Sequence, residues 1–255
     1  VKRLDMNGSA VRTLQNGGVL AVGLLVGWQL LYWGVGDVAF RSPLETMRFT
    51  ADLLGSDSFW PHAWETARAF GLALLLSVAI GLPVGALLGL NRLAGAVLEP
   101  MLVASYAIPK ITLYPILLLM FGLGLSAKVA FGVIHGVIPI ALFTVGAVRH
   151  IRPVLLKTGR VMELGPLEMA ARVLLPAAMP EIFAGLRVGF SLTLIGVILG
   201  EMFASQRGLG FLLMNAIGLH NVDLIMALTC LLSVFAGAAS FALLMIDRGM
   251  KERAG

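Results

Sequence analysis

The chain alternates long apolar runs with short polar ones. Six runs are each apolar over about 20 residues, the length a helix needs to cross the hydrocarbon core. They are 19–36, 66–90, 101–123, 129–148, 182–203 and 224–246. No run alternates apolar and polar residues with period two, and barrel strands would be about half as long. The pattern predicts an all-α membrane protein with six transmembrane helices filling a single domain, 19–248. A polar segment, 1–18, precedes it and a short tail, 249–255, follows. The longest polar connection is 149–181. Within it lies ELGPLEMAARVLLPAAMP (163–180), charged and broken by Pro166, Pro176 and Pro180.

Composition agrees with a lipid solvent. The chain is 58% hydrophobic and 13% charged, with a mean hydropathy of +0.92. A soluble domain carries roughly 25% charged residues, so this chain lacks the polar surface to coat a globule. Its net charge of +5 does not point to nucleic acid, because the basic residues fall between apolar runs and form no aromatic-interleaved patch. The single cysteine, Cys230, excludes an internal disulfide and a cysteine-based metal cluster. The first apolar run ends in GVGD with no small-residue cleavage signal, so it is expected to be a retained span rather than a signal peptide.

Basic residues orient the spans. With the N-terminus in the cytoplasm, 12 of the 19 lysines and arginines fall in inside segments. Arg41, Arg48, Lys128 and Arg207 fall outside, and Arg68, Lys110 and Arg187 lie within or at the ends of spans. This is the bias of the positive-inside rule. Both termini and the connection 149–181 are therefore expected on the cytoplasmic side.

Two spans carry further information. In the second, Ala73, Ser77, Gly81, Gly85 and Gly89 recur every four residues, which makes one small-residue helix face for close packing. Gly132 with Gly136, and Gly185 with Gly189, repeat the spacing. In the third, Pro109 and Pro115 flank Lys110, so this helix is expected to be kinked or broken. Broken backbone at membrane depth is tolerated inside protein or along a wet cavity.

Intramembrane polar groups are costly and mark solute paths or paired interiors. Lys110 is the candidate for attracting an anion. Ser105, Tyr106, Thr112, Ser191 and Thr193 could hydrogen-bond a solute. His135 is a pathway residue or a satisfied interior histidine, and Glu201 is placed to gate or anchor the outer mouth. No P-loop and no H-E-x-x-H motif occurs, and the four histidines are scattered. Ser126 and Lys128 lack a third group to orient them as a catalytic pair, so Lys128 reads as a solvated helix end.

Several runs together resemble the inner-membrane permease subunits of binding-protein-dependent ABC importers. They are GLPVGALLGL (81–90), EPMLVASYAIPKITLYPILLLMFGLG (99–124), IPIALFTVGAV (138–148) and LLPAAMPEIFAGLRVGFSLTLIGVILGEMFASQRGLGFLL (174–213). The likeness is to the nitrate, taurine and aliphatic-sulfonate branch and covers about residues 60–248. It implies the type I ABC importer permease fold. It also implies a second permease subunit, expected to be an identical copy, two cytoplasmic ATPase subunits and a periplasmic solute-binding protein. The setting is the bacterial inner membrane. ATP and magnesium would belong to the ATPase, with no cofactor in this chain.

The family's last long cytoplasmic loop carries Glu-Ala-Ala, three residues, Gly, nine residues, an aliphatic residue, one residue, then Leu-Pro. It forms a coupling helix that docks on the ATPase. Leu175, Pro176 and Val173 match its end, and Gly165 is the natural match to the glycine. On that register Gly159, Arg160 and Val161 replace Glu-Ala-Ala, and seven residues rather than nine separate Gly165 from Val173. The coupling glutamate is then not carried over, and Glu163 stands out of register. Arg160, Val161, Met162, Glu163, Leu164, Gly165, Pro166, Leu167 and Glu168 are the expected ATPase-coupling residues. Pro166 suits the first turn of a short helix running to Leu175.

The competing reading is an ion-coupled secondary transporter, which would show its own ion site and usually inverted repeats. No convincing repeat relates the two halves. A membrane hydrolase would need a nucleophile and base in register, and the sequence offers neither.

Overall fold

The computed structural model describes the backbone of residues 4–254, and the side chains of 17–247 and 249 except Ala204. The described residues form helices and connecting turns. Two units are distinguished, 1–57 with 215–232 and 58–214 with 233–255.

The first unit holds α1 (Leu4–Val35), α2 (Pro43–Leu54) and the first turns of α11 (Val222–Ala254). The apolar side chains of α1 from Val19 onward are largely exposed, as suits lipid. α2 begins with a capping box, Ser42 and Glu45 bonding each other's backbone amides, with Pro43 at the first helical position. Arg41 donates from Nε and a terminal nitrogen to both oxygens of Asp223, at 2.6 and 3.2 Å. Its carbonyl accepts from the Trp28 indole at 2.9 Å.

The second unit is built on α3 (Trp60–Leu90), α6 (Leu125–Arg149) and α9 (Leu175–Ala204), with α6 packed along both of the others. The small-residue face expected on α3 is the contact surface. Ala73, Ser77, Gly81 and Gly85 are buried. A Cβ on Gly81 would stand 2.8 Å from Ile140, and one on Gly85 2.5 Å from the Ala141 carbonyl. On α6, Gly132 meets Val197 and Ala73, while Gly136 meets Ser77 and Thr193. Gly185 and Gly189 of α9 receive Phe143 and Ile140. In lipid there is no hydrophobic drive between helices, so close backbone packing of this kind supplies the association. Two apolar clusters fill the remaining space, Ala69–Phe70–Ala73–Leu194–Val197 and Ala147–Ile151–Ala178–Ile182.

Among the described residues five helices are long and apolar enough to cross a membrane. The sixth expected span, 101–123, is not one helix. α4 (Arg92–Ala107) ends at extended Ile108, a single turn of 3₁₀ helix follows (Lys110–Leu113), and α5 (Tyr114–Phe121) leaves at 90° to α4. A residue before proline avoids the helical region, which stops α4 at Ile108. Pro115 lies in the first turn of α5, where no amide donor is needed.

The fragment 163–180 differs from expectation in the other direction. The helix from Pro166 does not stop at Leu175 but continues through α8 (Pro166–Met169), a π turn (Ala170–Leu174) and α9 as one element reaching Phe203. Pro176 and Pro180 lie within it. The π turn admits Pro176: Leu175 N–H bonds to the Ala170 carbonyl, i to i+5, which widens the backbone just ahead of its ring.

Candidate functional site

In the connection 149–181, α7 (Pro153–Val161) starts on a proline and ends in a tight turn. Leu164 N–H donates to the Gly159 carbonyl at 3.1 Å and Glu163 N–H to the Arg160 carbonyl at 3.0 Å. These are the two bonds of a Schellman cap, whose left-handed residue is usually glycine. Here it is Glu163, at φ +54°. Gly165, by contrast, has φ −62° and open space around its α-carbon. Nothing local demands glycine there.

α7 is amphipathic. Leu155 and Leu156 pack against Ala147, Ile151, Ala178 and Ile182, at the adjoining ends of α6 and α9. The opposite surface exposes Lys157, Arg160, Val161 (83%), Met162 (65%) and, on α8, Leu167 (83%). A Cβ on Gly159 would meet the thioether end of Met169 at 2.5 Å, so that side chain fills the space of the missing methyl. Glu168 pairs with Arg172 at 3.5 Å on the exposed face.

The pathway candidates separate into groups. Tyr106 and Ser191 line one cleft of about 270 Å³, with Arg187 and Ser240. Lys110 adjoins it: its Nζ lies 5.0 Å from the Tyr106 ring centroid and donates to the Tyr106 carbonyl at 3.2 Å. Ser105 and Thr112 return their hydroxyls to their own backbone, at Met101 and Pro109. His135 is half-buried, with Nδ1 2.8 Å from the Phe131 carbonyl and its ring against Phe131. That is a satisfied interior histidine. Thr193 and Glu201 are fully buried among α3, α6 and α9.

Glu201 belongs to a polar cluster at the other end of these helices. Thr66 donates to its carboxylate at 2.8 Å and Gly210 N–H at 3.0 Å. Lys128 Nζ stands 3.8 Å away, bonding Glu65 at 2.9 Å and the Arg207 carbonyl at 3.1 Å. Leu209 N–H donates to Thr66 and Gly208 N–H to His62 Nδ1, so the turn 205–210 is held by four helix side chains. Gly208 sits at φ +131°, and a Cβ there would overlap the Glu201 carboxylate. Lys128 is thus buried and doubly paired, not a solvated helix end, because the turn and α3 close over it. The available signal was positional. Glu65, Lys128 and Glu201 all stand at span ends that the charge bias places on one side.

Among the described residues no three His, Cys, Asp or Glu side chains converge as metal ligands. At the opposite end, Arg149 pairs with Glu99, and its guanidinium occupies the space a Cβ on Gly95 would need.

These features are those of a helical membrane transport subunit, and comparison with known proteins agrees. Residues 81–251 match the family described as binding-protein-dependent transport system inner membrane component. The chain is 34% identical over 214 residues to an ABC transporter permease protein of Haemophilus influenzae, covering 80% of this chain and 85% of that one. It is 24% identical over 240 residues to the taurine transport system permease protein TauC of Escherichia coli, covering 90% and 87%. With the aliphatic sulfonates transport permease protein SsuC of Bacillus subtilis it shares 25% over 218 residues, covering 84% and 75%. Its fold matches a chain of the inward-facing MetNI methionine ABC transporter, with a TM-score of 0.66, 23% identity and coverage of 76% and 99%.

The chain therefore belongs to the family of inner-membrane permease subunits of binding-protein-dependent ABC importers. It is a multi-pass transport subunit rather than an enzyme, working with a separate ATPase and a solute-binding protein.

The left-handed Glu163 offers a second register for the loop. Counting from Glu163 rather than Gly165, three residues precede it back to Lys157-Thr158-Gly159, and nine separate it from Val173. The family spacing is then intact. The departures are substitutions, with Lys157 at the glutamate position and Glu163 at the glycine.

Proposed function

We propose that two copies of this chain form the membrane pathway of an importer for a small organic anion. Two ATPase subunits bind from the cytoplasm and a periplasmic protein delivers the solute. The domain 19–248 spans the inner membrane with both termini cytoplasmic, and the connection 149–181 carries the coupling surface. The observation that carries the reading is α7. One face is wedged against the ends of α6 and α9, and the other is exposed, basic and apolar. A body seated on that exposed face moves both helices together.

The coupling surface runs from Lys157 through Glu168. ATP closes the ATPase pair, and α7 with α8 passes that motion to the pathway, which alternates between outward and inward opening. Such switching requires ATP to bind the two states with different affinity. ATP and magnesium reside in the ATPase, and this chain holds no cofactor. The relatives named for taurine and aliphatic sulfonates, together with Lys110 beside Tyr106, support an anionic solute. Of the eight pathway candidates, Tyr106, Lys110 and Ser191 are retained as solute-facing, while His135, Thr193 and Glu201 serve the helix core.

The test is uptake of taurine into proteoliposomes holding the chain with its ATPase, binding protein outside. Uptake is expected only with ATP on the ATPase side. Uptake by this chain alone, driven by an ion gradient, would sink the reading.

A further inference from the structure

Arg187 is an intramembrane charge without a counter-charge among the described residues. It lies in the middle of the continuous helix Pro166–Phe203, where a guanidinium is costly and is normally paired or facing water. Lys128 and Arg149 have carboxylate partners. Among the described residues no carboxylate lies within ion-pair distance of Arg187. Arg187 instead lines the 270 Å³ cleft, together with Ser191, Ser240 and Tyr106.

We infer that this cleft is the seat of the anionic head group of the transported solute, with Arg187 as its principal ligand. The inference rests on the importer reading for its biological role, though not for its chemistry. A guanidinium offers forked N–H donors that match the two-oxygen edge of a carboxylate or sulfonate. Ser191 and Ser240 supply hydroxyl donors from two different helices. Their present contacts are long: 3.3 Å from Ser191 to the Arg187 carbonyl, and 3.5 Å between the two hydroxyls. Both are therefore free to turn toward a stronger acceptor at little cost. Lys110 lies against the ring of Tyr106, one of the lining residues.

The size of the cleft narrows the class. Sites for drug-sized ligands run to about 300–1,000 Å³. At 270 Å³ this one takes a single oxyanion group with a short stem, and Val188 and Leu192 give that stem an apolar wall. No acidic residue lines the cleft, so a cation meets Arg187 and no counter-charge.

The test reads charge selectivity directly, without ATP or a partner. Ser240→Cys is made in a Cys230→Ser background and the full chain is placed in nanodiscs. Labelling rates are measured with 2-sulfonatoethyl methanethiosulfonate and its trimethylammonium counterpart, each divided by its rate with a free thiol. The anionic reagent should be favoured by about tenfold or more, the scale on which a charged cleft concentrates counter-ions. Arg187→Gln should bring the ratio close to one, and Arg187→Lys should keep most of it. Methanesulfonate should slow the anionic reagent, while chloride at equal ionic strength should not. A ratio near one in the parent, or one unmoved by Arg187→Gln, overturns the proposal. Should Arg187→Gln not fold, absence of methanesulfonate protection in the parent overturns it equally. ATP-driven taurine uptake without charge preference would remove the cleft and leave the importer. Charge preference without ATP-driven uptake would do the reverse.

Discussion

Lys128 Nζ lies 2.9 Å from the Glu65 carboxylate and 3.8 Å from that of Glu201, so one buried cation on α6 serves carboxylates on α3 and α9. Buried charges are stable only where geometry is good and the remaining lone pairs are satisfied. Here Thr66 and Gly210 complete the shell of Glu201. Lys128→Met keeps the side-chain volume but leaves Glu201 uncompensated. It is expected to cost about 3–5 kcal/mol, read as lowered thermal stability of the purified chain. Glu201→Gln should cost less, since an amide still accepts from Thr66 and Gly210.

The α3–α6 contact leaves no room for a methyl group at Gly85. Gly85→Ala places a Cβ 2.5 Å from the Ala141 carbonyl, and backbone cannot swing aside as a side chain can. Overpacking is expected to cost about 1–3 kcal/mol. Gly71, on the exposed face of the same helix with nothing within 4 Å, is the control. Gly71→Ala should be neutral or stabilising, as alanine is the better helix former. Equal melting temperatures for the two variants would contradict the packing described.

Glu163 holds a left-handed conformation that costs a side-chain-bearing residue about 1–2 kcal/mol. Glu163→Gly removes that cost and should slow amide exchange at Leu164, the donor of the cap's outer bond. Glu163→Val should speed it, because a branched Cβ tolerates the conformation least. Gly165→Ala should change little, as its φ of −62° suits any residue.

Lys157 is exposed on α7, and the register counted from Glu163 puts the family's glutamate at its position. Lys157→Glu reverses one charge on the proposed ATPase-docking face without touching the core. Rim charges act mainly on association rate and salt dependence. The expected result is slower association with the partner ATPase at low salt, with the difference shrinking as salt is raised. Unchanged association at low salt would place Lys157 outside the docking face.

The small-residue register of α3 was legible because a helix repeats its face every 3.6 residues, so Ala73, Ser77, Gly81 and Gly85 declare one surface by spacing alone. The break at Pro109 was legible for a similarly local reason, since proline constrains its own backbone and the residue before it. The capping box at Ser42 and Glu45 is also a local signal, a serine and a glutamate three residues apart around Pro43. In the coupling loop, residue type singles out Gly165, whereas the left-handed residue is Glu163. The turn's conformation sits at Glu163, and a glutamate gives no sign of being left-handed.

By itself, then, the sequence determined the solvent, the number of apolar runs, the packing face of α3 and the family. These depend on composition, local backbone rules and spacing along one element. Tertiary structure alone decided that Pro176 is carried inside one helix behind a π turn. It also decided that Lys128 is buried between two carboxylates, and that Tyr106, Arg187, Ser191 and Ser240 share a cleft. Each of those outcomes depends on how neighbouring turns or distant helices meet, and no single element's pattern records it.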